Sequence, residues 1–360
     1  MITFLLSLSI AAGQNGTEKQ LTRKATIKDV ARAAGVSDMT VSRAANRPES
    51  VSVETRGKIF DAMESLGYKP NALARSMRRR STHQIGYLTA DLTITPNAIM
   101  AQSAGQTFAE AGYRQIIAIS NGQLELEHKF LEQFQSGIVD GMIPMISDES
   151  SQKTVDLLQN CGVPIVAIDR DLPFTVDAVL SDHRAPMIKA VKYLHDIGHR
   201  DIALLCSPQT MRPGRIRSAA FVEAAQQLGH TDPEARVFSM PQRPEEAFAA
   251  TQFLLSRADR PTALIAAANQ LTFGVLQAIQ SLGMSIPCDV SVIGADDTIV
   301  SPLFRPALTM ISRDLVEIGK AAAGLLIERL RQPETAVGRI LMLGSDVVLR
   351  DSCSSPQKKK

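Results

Sequence analysis

The segment Gly35-Val36-Ser37-Asp38-Met39-Thr40-Val41-Ser42-Arg43 gathers side chains able to read the edge of a nucleic-acid base. Arginine can donate two parallel hydrogen bonds to guanine, aspartate can accept from the cytosine amino group, and methionine can touch the thymine methyl. Asp38, Met39, Ser42 and Arg43 do this only if the first turns of one helix carry them together. Asp38 repels phosphate, so in that role it sharpens selection and adds no affinity. A second group is dispersed: Asp169, Asp182 and Asp296 each sit at the end of a strand-like apolar run, and Arg217 lies in Arg215-Ile216-Arg217 near a predicted helix start. Carboxylates there can accept hydroxyl protons from a polyol, and a guanidinium can grip hydroxyls or a carboxylate. A strand-end cap or a surface ion pair is the ordinary role of any one of them. Several of them together would strengthen the reading of a ligand site.

The elements that must position these residues follow from periodicity. Ile27, Val30, Ala31 and Ala34 recur at helical spacing, as do Ile59, Ala62, Met63 and Leu66, giving two amphipathic helices. Between them Gly35-Val36-Ser37 makes a tight turn, and Ser37 can cap a helix from Asp38 to about Ala45. Helix, turn, helix follows, with Ser52 and Glu54 opening the third helix and Gly67 closing it; Gly57 inside it is an unexplained cost. Asn71 to Arg80 reads as a short helix too polar and basic to bury itself, marginal alone. From Ile85 onward the apolar runs Ile85–Ala90, Gln115–Ser120, Gly141–Ile146, Pro164–Asp169, Asp201–Cys206, Thr262–Ala267 and Val290–Gly294 alternate with helical stretches. Repeated βα units predict doubly wound parallel sheets, and their length predicts two lobes with a ligand between them.

Composition agrees with a globular chain of 360 residues, 44% hydrophobic and 21% charged. Its net charge of +2 hides a polarity: residues 21–83 hold 13 Lys and Arg against 6 Asp and Glu, and the remainder is acidic by five. A basic head on an acidic body suits a nucleic-acid binder, whereas a plain helical bundle with solvated charges leaves the Arg cluster unexplained. Cys161, Cys206, Cys288 and Cys353 are scattered without metal spacing, as expected of reduced thiols. No cofactor motif is present, and no apolar run is long enough to cross a bilayer, so no membrane partner is expected. Met1 to Gly13 has the apolar stretch of a short secretory signal but lacks its basic start. Because the next folded unit reads as built for DNA, residues 1–24 are read as a disordered extension or a misassigned start, with a real targeting element as the alternative.

Thr26-Ile27-Lys28-Asp29-Val30-Ala31, Gly35-Val36-Ser37, Thr40-Val41-Ser42-Arg43, Asn46, Val51-Ser52, Thr55-Arg56, Leu66-Gly67-Tyr68, Pro70-Asn71 and Ala74-Arg75-Ser76 follow one another in the order of a known head. This string resembles the lactose-repressor/galactose-repressor family, and the resemblance extends to about Arg350. It implies a small all-α helix-turn-helix head plus hinge helix, then an α/β two-lobed periplasmic-binding-protein-like core with doubly wound parallel sheets. The implied division is 25–70 for the DNA-binding head, 71–84 for the hinge, 85–350 for the effector-binding and dimerisation core and 351–360 for a flexible tail. It adds Thr40 and Asn46 to Ser37, Asp38, Met39, Ser42 and Arg43 as DNA-contacting residues. In the family the hinge forms a helix when paired on DNA, and a leucine wedges into the minor groove. Met77 holds that position here, and a flexible apolar side chain can still unstack a base step. Arg75 and Arg78 to Arg80 would contact phosphates.

By the same resemblance Asp169, Arg217 and Asp296 match effector-contacting positions, and Asn269 stands one residue from the usual Asn-Asp, after Ala268. The first loop carries Ile94-Thr95-Pro96-Asn97 where family members often have Asn-Pro-Phe-Phe. With no Trp and 4% aromatic residues, a sugar-stacking pocket is disfavoured. Ser37 to Arg43 resembles gluconate-type members, and Arg217 suits a carboxylate, so a sugar acid or small polyol is the expected effector.

The expectation is a cytoplasmic, nucleoid-associated repressor, a homodimer on a palindromic double-stranded operator, switched by a small polar effector. Its rival is a transporter-associated solute-binding protein, which the lobes and signal-like start would suit but the basic head would not. An enzyme is not expected: there is no Gly-x-Ser-x-Gly elbow, no phosphate loop and no metal-spaced histidine pair. His128, His183, His195, His199 and His230 read as isolated surface or strand-end contacts, and Gln357 to Lys360 as a solvated end.

Overall fold

The computed structural model describes residues 25–68, 81–332 and 337–357. The described residues fall into two compact units, one within 1–78 and the other within 79–360. In the first, α1 (Ile27–Ala34) starts where Asp29 accepts a bond from the Thr26 N–H at 2.9 Å. It ends at Gly35, whose φ of +67° turns the chain sharply and favours glycine. Ser37 then caps α2 (Asp38–Asn46), accepting from the Thr40 N–H at 3.2 Å, and Ser52 caps α3 (Val53–Ser65) in the same way. Val30, Val41 and Ile59 are fully buried where the three helices meet. At about 1.5–3 kcal/mol for each large apolar side chain buried, this small core is what holds the helices together. Leu66, expected in the buried stripe, caps α3 and is exposed.

The second unit holds two lobes of one plan. The first contains β1 (Gln84–Thr89), α4 (Thr95–Glu110), β2 (Arg114–Ile119), α5 (Leu124–Gln133), β3 (Gly141–Pro144), α6 (Gln152–Gln159), β4 (Val166–Ile168) and β5 (Asp177–Ser181). The second contains α7 (Arg184–Asp196), β6 (Ile202–Cys206), α8 (Arg212–Gln227), β7 (Val237–Ser239), α9 (Pro244–Leu255), β8 (Ala263–Ala267), α10 (Asn269–Ser281), β9 (Ser291–Ala295) and β10 (Thr309–Arg313). The chain then returns to the first lobe through α11 (Leu315–Arg331) and β11 (Ile340–Leu343), and ends in the second on β12 (Ser345–Val348). Strand order is β2-β1-β3, joined by a parallel bridge between Met142 and Ile165 to β4-β5-β11, and β7-β6-β8-β9-β10-β12 in the other lobe. Among the described residues all pairings are parallel except β10 with β12.

Parallel strands covered on both faces are apolar throughout, which is why their sequences run without alternation. Ile202–Cys206 and Ala263–Ala267 are buried at every position. Helix α11 lies so close to α4 that a Cβ on Gly319 would fall 2.1 Å from Ser103 Oγ, so this crossing requires glycine.

Each of the seven apolar runs read as strands becomes one, the strand end expected at Asp182 is that of β5, and among the described residues four further strands, β7, β10, β11 and β12, were not foreseen. The histidines are not isolated. His199 is buried, bonded to Thr262 Oγ1 at 2.8 Å and Ser291 Oγ at 3.0 Å; His195 Nδ1 meets His230 Nε2 at 2.9 Å; His128 Nε2 meets Thr154 Oγ1 at 2.9 Å. Nor is the stretch from residue 351 uniformly a free tail. Ser352 is buried and its hydroxyl joins Val292 O at 2.6 Å to the Thr309 N–H at 2.8 Å, tying the chain end to β9 and β10. Among the described residues no helix is long and apolar enough to cross a membrane.

Candidate functional site

On α2, Val41 and Ala44 face the small core, which turns Asp38, Met39 and Arg43 outward. Met39 is 64% exposed, and Arg43 Nη2 lies over its sulfur at 3.3 Å. An apolar side chain so exposed beside a cation, on a helix's first turns, is available to a partner surface. Ser37 and Thr40 share a hydroxyl contact of 2.9 Å at the capped end, where unpaired N–H groups also favour an anion. Ser42 and Asn46 are half-buried, and Asn46 Nδ2 donates back to Ser42 O at 2.7 Å, so its amide is partly spent within the helix. Arg75, Met77 and Arg78 lie outside the described residues.

In the core, a cavity of about 330 Å³ opens at the carboxyl ends of the strands and takes its walls from both lobes. Asp169 follows β4 and Asp296 follows β9, each with positive φ, +49° and +62°. Left-handed backbone costs a non-glycine residue about 1 kcal/mol and recurs where a side chain must be aimed. Arg217 projects from α8 and Asn269 opens α10; all four line the cavity. Asp182 does not. It accepts from the N–H groups of Arg184 at 2.9 Å and Ala185 at 3.1 Å, capping α7.

Sequence reasoning missed the residue that organises this group. Arg313, last on β10, donates from Nε to Asp296 Oδ1 at 2.8 Å and from Nη1 to Asp169 Oδ2 at 2.6 Å. The rule that singled out Asp169, a polar residue closing a parallel strand, applies equally to Arg313, but Thr309–Arg313 was not read as a strand. Burial alone would raise the two carboxyls. Their neighbours outweigh it, chiefly His183 and Arg313 at Asp169, and Arg313 and Arg217 at Asp296, holding both below the ordinary range. His183 Nε2 is 3.3 Å from Asp169 Oδ1 but outside hydrogen-bond geometry; burial pushes its imidazole down to about 4.

Arg217 is different. It is 3% exposed, its Nη1 donates to Ala267 O at 2.6 Å, and its Nε has no partner. Among the described residues no carboxylate reaches ion-pair distance from it, and burial lowers its affinity for the proton. Asn269 Oδ1 and the hydroxyls of Thr89 and Ser147, also in the cavity wall, have no protein partner either. Met100, Met145, Met211 and several prolines supply the apolar part, and none of the described lining residues is aromatic. Beside the cavity Glu149, from the first lobe, accepts from the Arg212 N–H at 2.7 Å and from Arg215 Nη2 at 2.5 Å, pinning the start of α8.

Known proteins share both parts of the chain. Residues 26–71 match the model for bacterial regulatory proteins, lacI family, and residues 191–353 match that for a periplasmic binding protein-like domain. The chain is 32% identical over 309 residues to the HTH-type transcriptional repressor PurR of Edwardsiella ictaluri, which covers 85% of this chain and 90% of that one. PurR of Escherichia coli O139:H28 gives the same identity and coverage. Among solved structures, the lac repressor dimer bound to operator and the anti-inducer ONPF superposes with a TM-score of 0.80 at 26% identity, over 92% of this chain and 100% of that one. The transcriptional regulator CelR in complex with cellobiose gives 0.69 at 27% identity, over 91% and 99%. Likeness of this extent, through head and core alike, settles the kinship: the chain belongs to the lacI family of bacterial regulatory proteins.

Proposed function

We propose that this lacI-family DNA-binding regulator is a cytoplasmic repressor that works as a homodimer on a palindromic operator and answers to a sugar acid. Arg217 carries the effector class. A guanidinium buried with no carboxylate at ion-pair distance keeps part of its desolvation cost, which Asp296 and Asp169 offset only from further away, and a bound carboxylate reduces that cost while taking the unspent donors. The unpartnered Asn269 amide oxygen and the Thr89 and Ser147 hydroxyls suit the ligand's hydroxyls. A cavity wall without aromatic rings gives a neutral sugar no face to stack on. The lac repressor solved as an operator-bound dimer supports the same assembly here.

In this reading residues 25–70 read DNA through Ser37, Asp38, Met39, Thr40, Ser42, Arg43 and Asn46, and residues 71–84 add Arg75, Met77 and Arg78 as a hinge. Residues 85–350 dimerise and bind effector in the cavity that Asp169, Arg217, Asn269 and Asp296 line, Arg217 and Asn269 with unspent groups and the two aspartates by setting the field around them. The test is genomic footprinting with purified full-length protein across a salt series, repeated with sugar acids and with neutral sugars. The expected result is a palindromic site with strongly salt-dependent binding, whose occupancy a sugar acid changes. No specific site would sink the recognition-helix assignment; a site that only neutral sugars affect would sink the acid.

A further inference from the structure

We propose that Arg313 is the specificity-determining residue that makes this cleft choose acids over neutral polyols; the proposal rests on the acid-effector reading and names the side chain that enforces it. Asp169 and Asp296 come from different lobes, and one guanidinium satisfies both. Asp169 has little left to offer. Its Oδ1 accepts the Ser181 N–H at 2.6 Å, and its Oδ2 accepts the Ser181 hydroxyl at 3.0 Å and Arg313 Nη1 at 2.6 Å, with His183 packed against the remaining side. A carboxylate has about four acceptor positions, so a ligand hydroxyl finds Asp169 nearly full. At Asp296, Oδ1 already lies within 2.8 Å of Arg313 Nε and 2.6 Å of Nη2, which leaves Oδ2 as its open acceptor.

A neutral polyol is gripped by free carboxylate acceptors. To take the oxygens that Arg313 holds, Asp169 Oδ2 and Asp296 Oδ1, it must displace that side chain, which is 8% exposed, and leave its charge buried without its partners. An anion meets no such competition, because Arg217 holds unspent donors and needs no displacement. His183, with its imidazole near 4, adds no charge at neutral pH. The wall therefore shows a ligand spare cationic donors at Arg217, while Arg313 occupies one oxygen each of Asp169 and Asp296 and leaves Asp296 Oδ2 and the turn-bonded Asp91 as the remaining carboxylate acceptors.

Titration calorimetry on the full-length protein tests this with D-gluconate and D-galactonate against D-glucitol and galactitol, pairs that differ only in carboxylate against CH₂OH. Wild type is expected to bind an aldonate and not its alditol. In R313Q the two aspartates are released and the site gains a negative charge. Aldonate affinity should fall at least tenfold and alditol affinity rise at least tenfold, as one uncompensated charge a few ångströms away requires. If R313Q does not fold, R313Q/D296N, which removes one released carboxylate, is titrated with the same alditol gain expected. An unchanged aldonate-to-alditol ratio, or a folded variant that binds neither ligand, overturns the role of Arg313. A wild type that binds no aldonate beside a variant that gains the alditol keeps Arg313 as the excluder of polyols and removes the acid reading.

Discussion

Replacing Asp169 with Asn isolates what that residue does for the protein itself. The amide keeps the shape, and Asn tolerates the left-handed backbone at φ +49° nearly as well as Asp. What changes is one oxygen, which becomes an N–H donor. If Oδ1 continues to accept from the Ser181 N–H, the new amide group faces Arg313 Nη1, a donor against a donor, at a contact that is now 2.6 Å. Breaking a buried ion pair costs roughly 3–5 kcal/mol; Arg313 keeps Asp296, so the lower end applies, about 3 kcal/mol. At about 2–4 °C per kcal/mol for a folded unit of this size, the core transition should fall by about 6–12 °C in scanning calorimetry at pH 7. Asp182→Asn is the control. Asn caps a helix as well as Asp does, so its change should stay within about 0.5 kcal/mol. The sign with pH follows from the depressed Asp169 carboxyl. A group whose folded value lies below its unfolded one stabilises fully above the unfolded value, ordinarily 3.8, and loses that contribution as pH falls through the folded one. The gap between wild type and variant should therefore hold from pH 7 to 5 and close only below about 4. A variant that melts with wild type, or a gap that closes between pH 7 and 5, would show that Asp169 is not the ionised anchor of Arg313.

His183 makes a second pH statement in a different window: with a folded value of about 4 against 6.5 unfolded, the unfolded chain takes up the proton first. Stability should fall by up to about 3 kcal/mol as pH drops from about 6.5 to 4, and His183→Gln should flatten that part of the curve; an equally steep variant refutes the assignment. Gly57→Ala should slow hydrogen exchange along α3 in the full chain by an amount worth about 0.5–1 kcal/mol, since a Cβ there meets nothing within 4 Å; faster exchange would mean that the glycine is required. Arg43→Ala should weaken operator binding by about 10–100-fold and relax preference at one base pair; a loss uniform over all sequences would mark Arg43 as a phosphate contact instead.

The head was legible because its signals are local. Periodicity, the Gly35 turn and the Ser37 cap lie within a few residues of one another, and each fixes backbone without help from distant chain. The central parallel strands were legible for a related reason, since burial on both faces leaves an apolar run that nothing else of that length produces. The missed strands lack that mark. β10 ends in Ser312-Arg313, and β11 is largely exposed. Their pairing is decided by partners far along the chain, and with β10 unread its terminal arginine stayed out of the site. Asp169 was found but its partners were not, because Ser181, His183 and Arg313 meet it only in three dimensions.

That arrangement bears on how an effector could act at a distance. A ligand shifts a conformational balance only by as much as it favours one arrangement over another. Arg217 rises from α8, and the first turn of α8 is already bonded across the cleft, through the Arg212 N–H and Arg215, to Glu149 of the other lobe. An anion captured at Arg217 therefore loads a helix that both lobes hold, while Asp169 and Arg313 tie the lobes a second time at the strand ends. With the two ties present before any ligand arrives, the effector contributes an increment to a closure largely set by the chain. A coupling of about 1–3 kcal/mol between effector and operator is of that scale, and it must be reciprocal. Operator DNA should change the affinity for a sugar acid by the factor, 5- to 150-fold on that range, with which the acid changes the affinity for operator; calorimetry with and without a saturating operator duplex compares the two, and unequal factors would place the binding outside a single linked equilibrium.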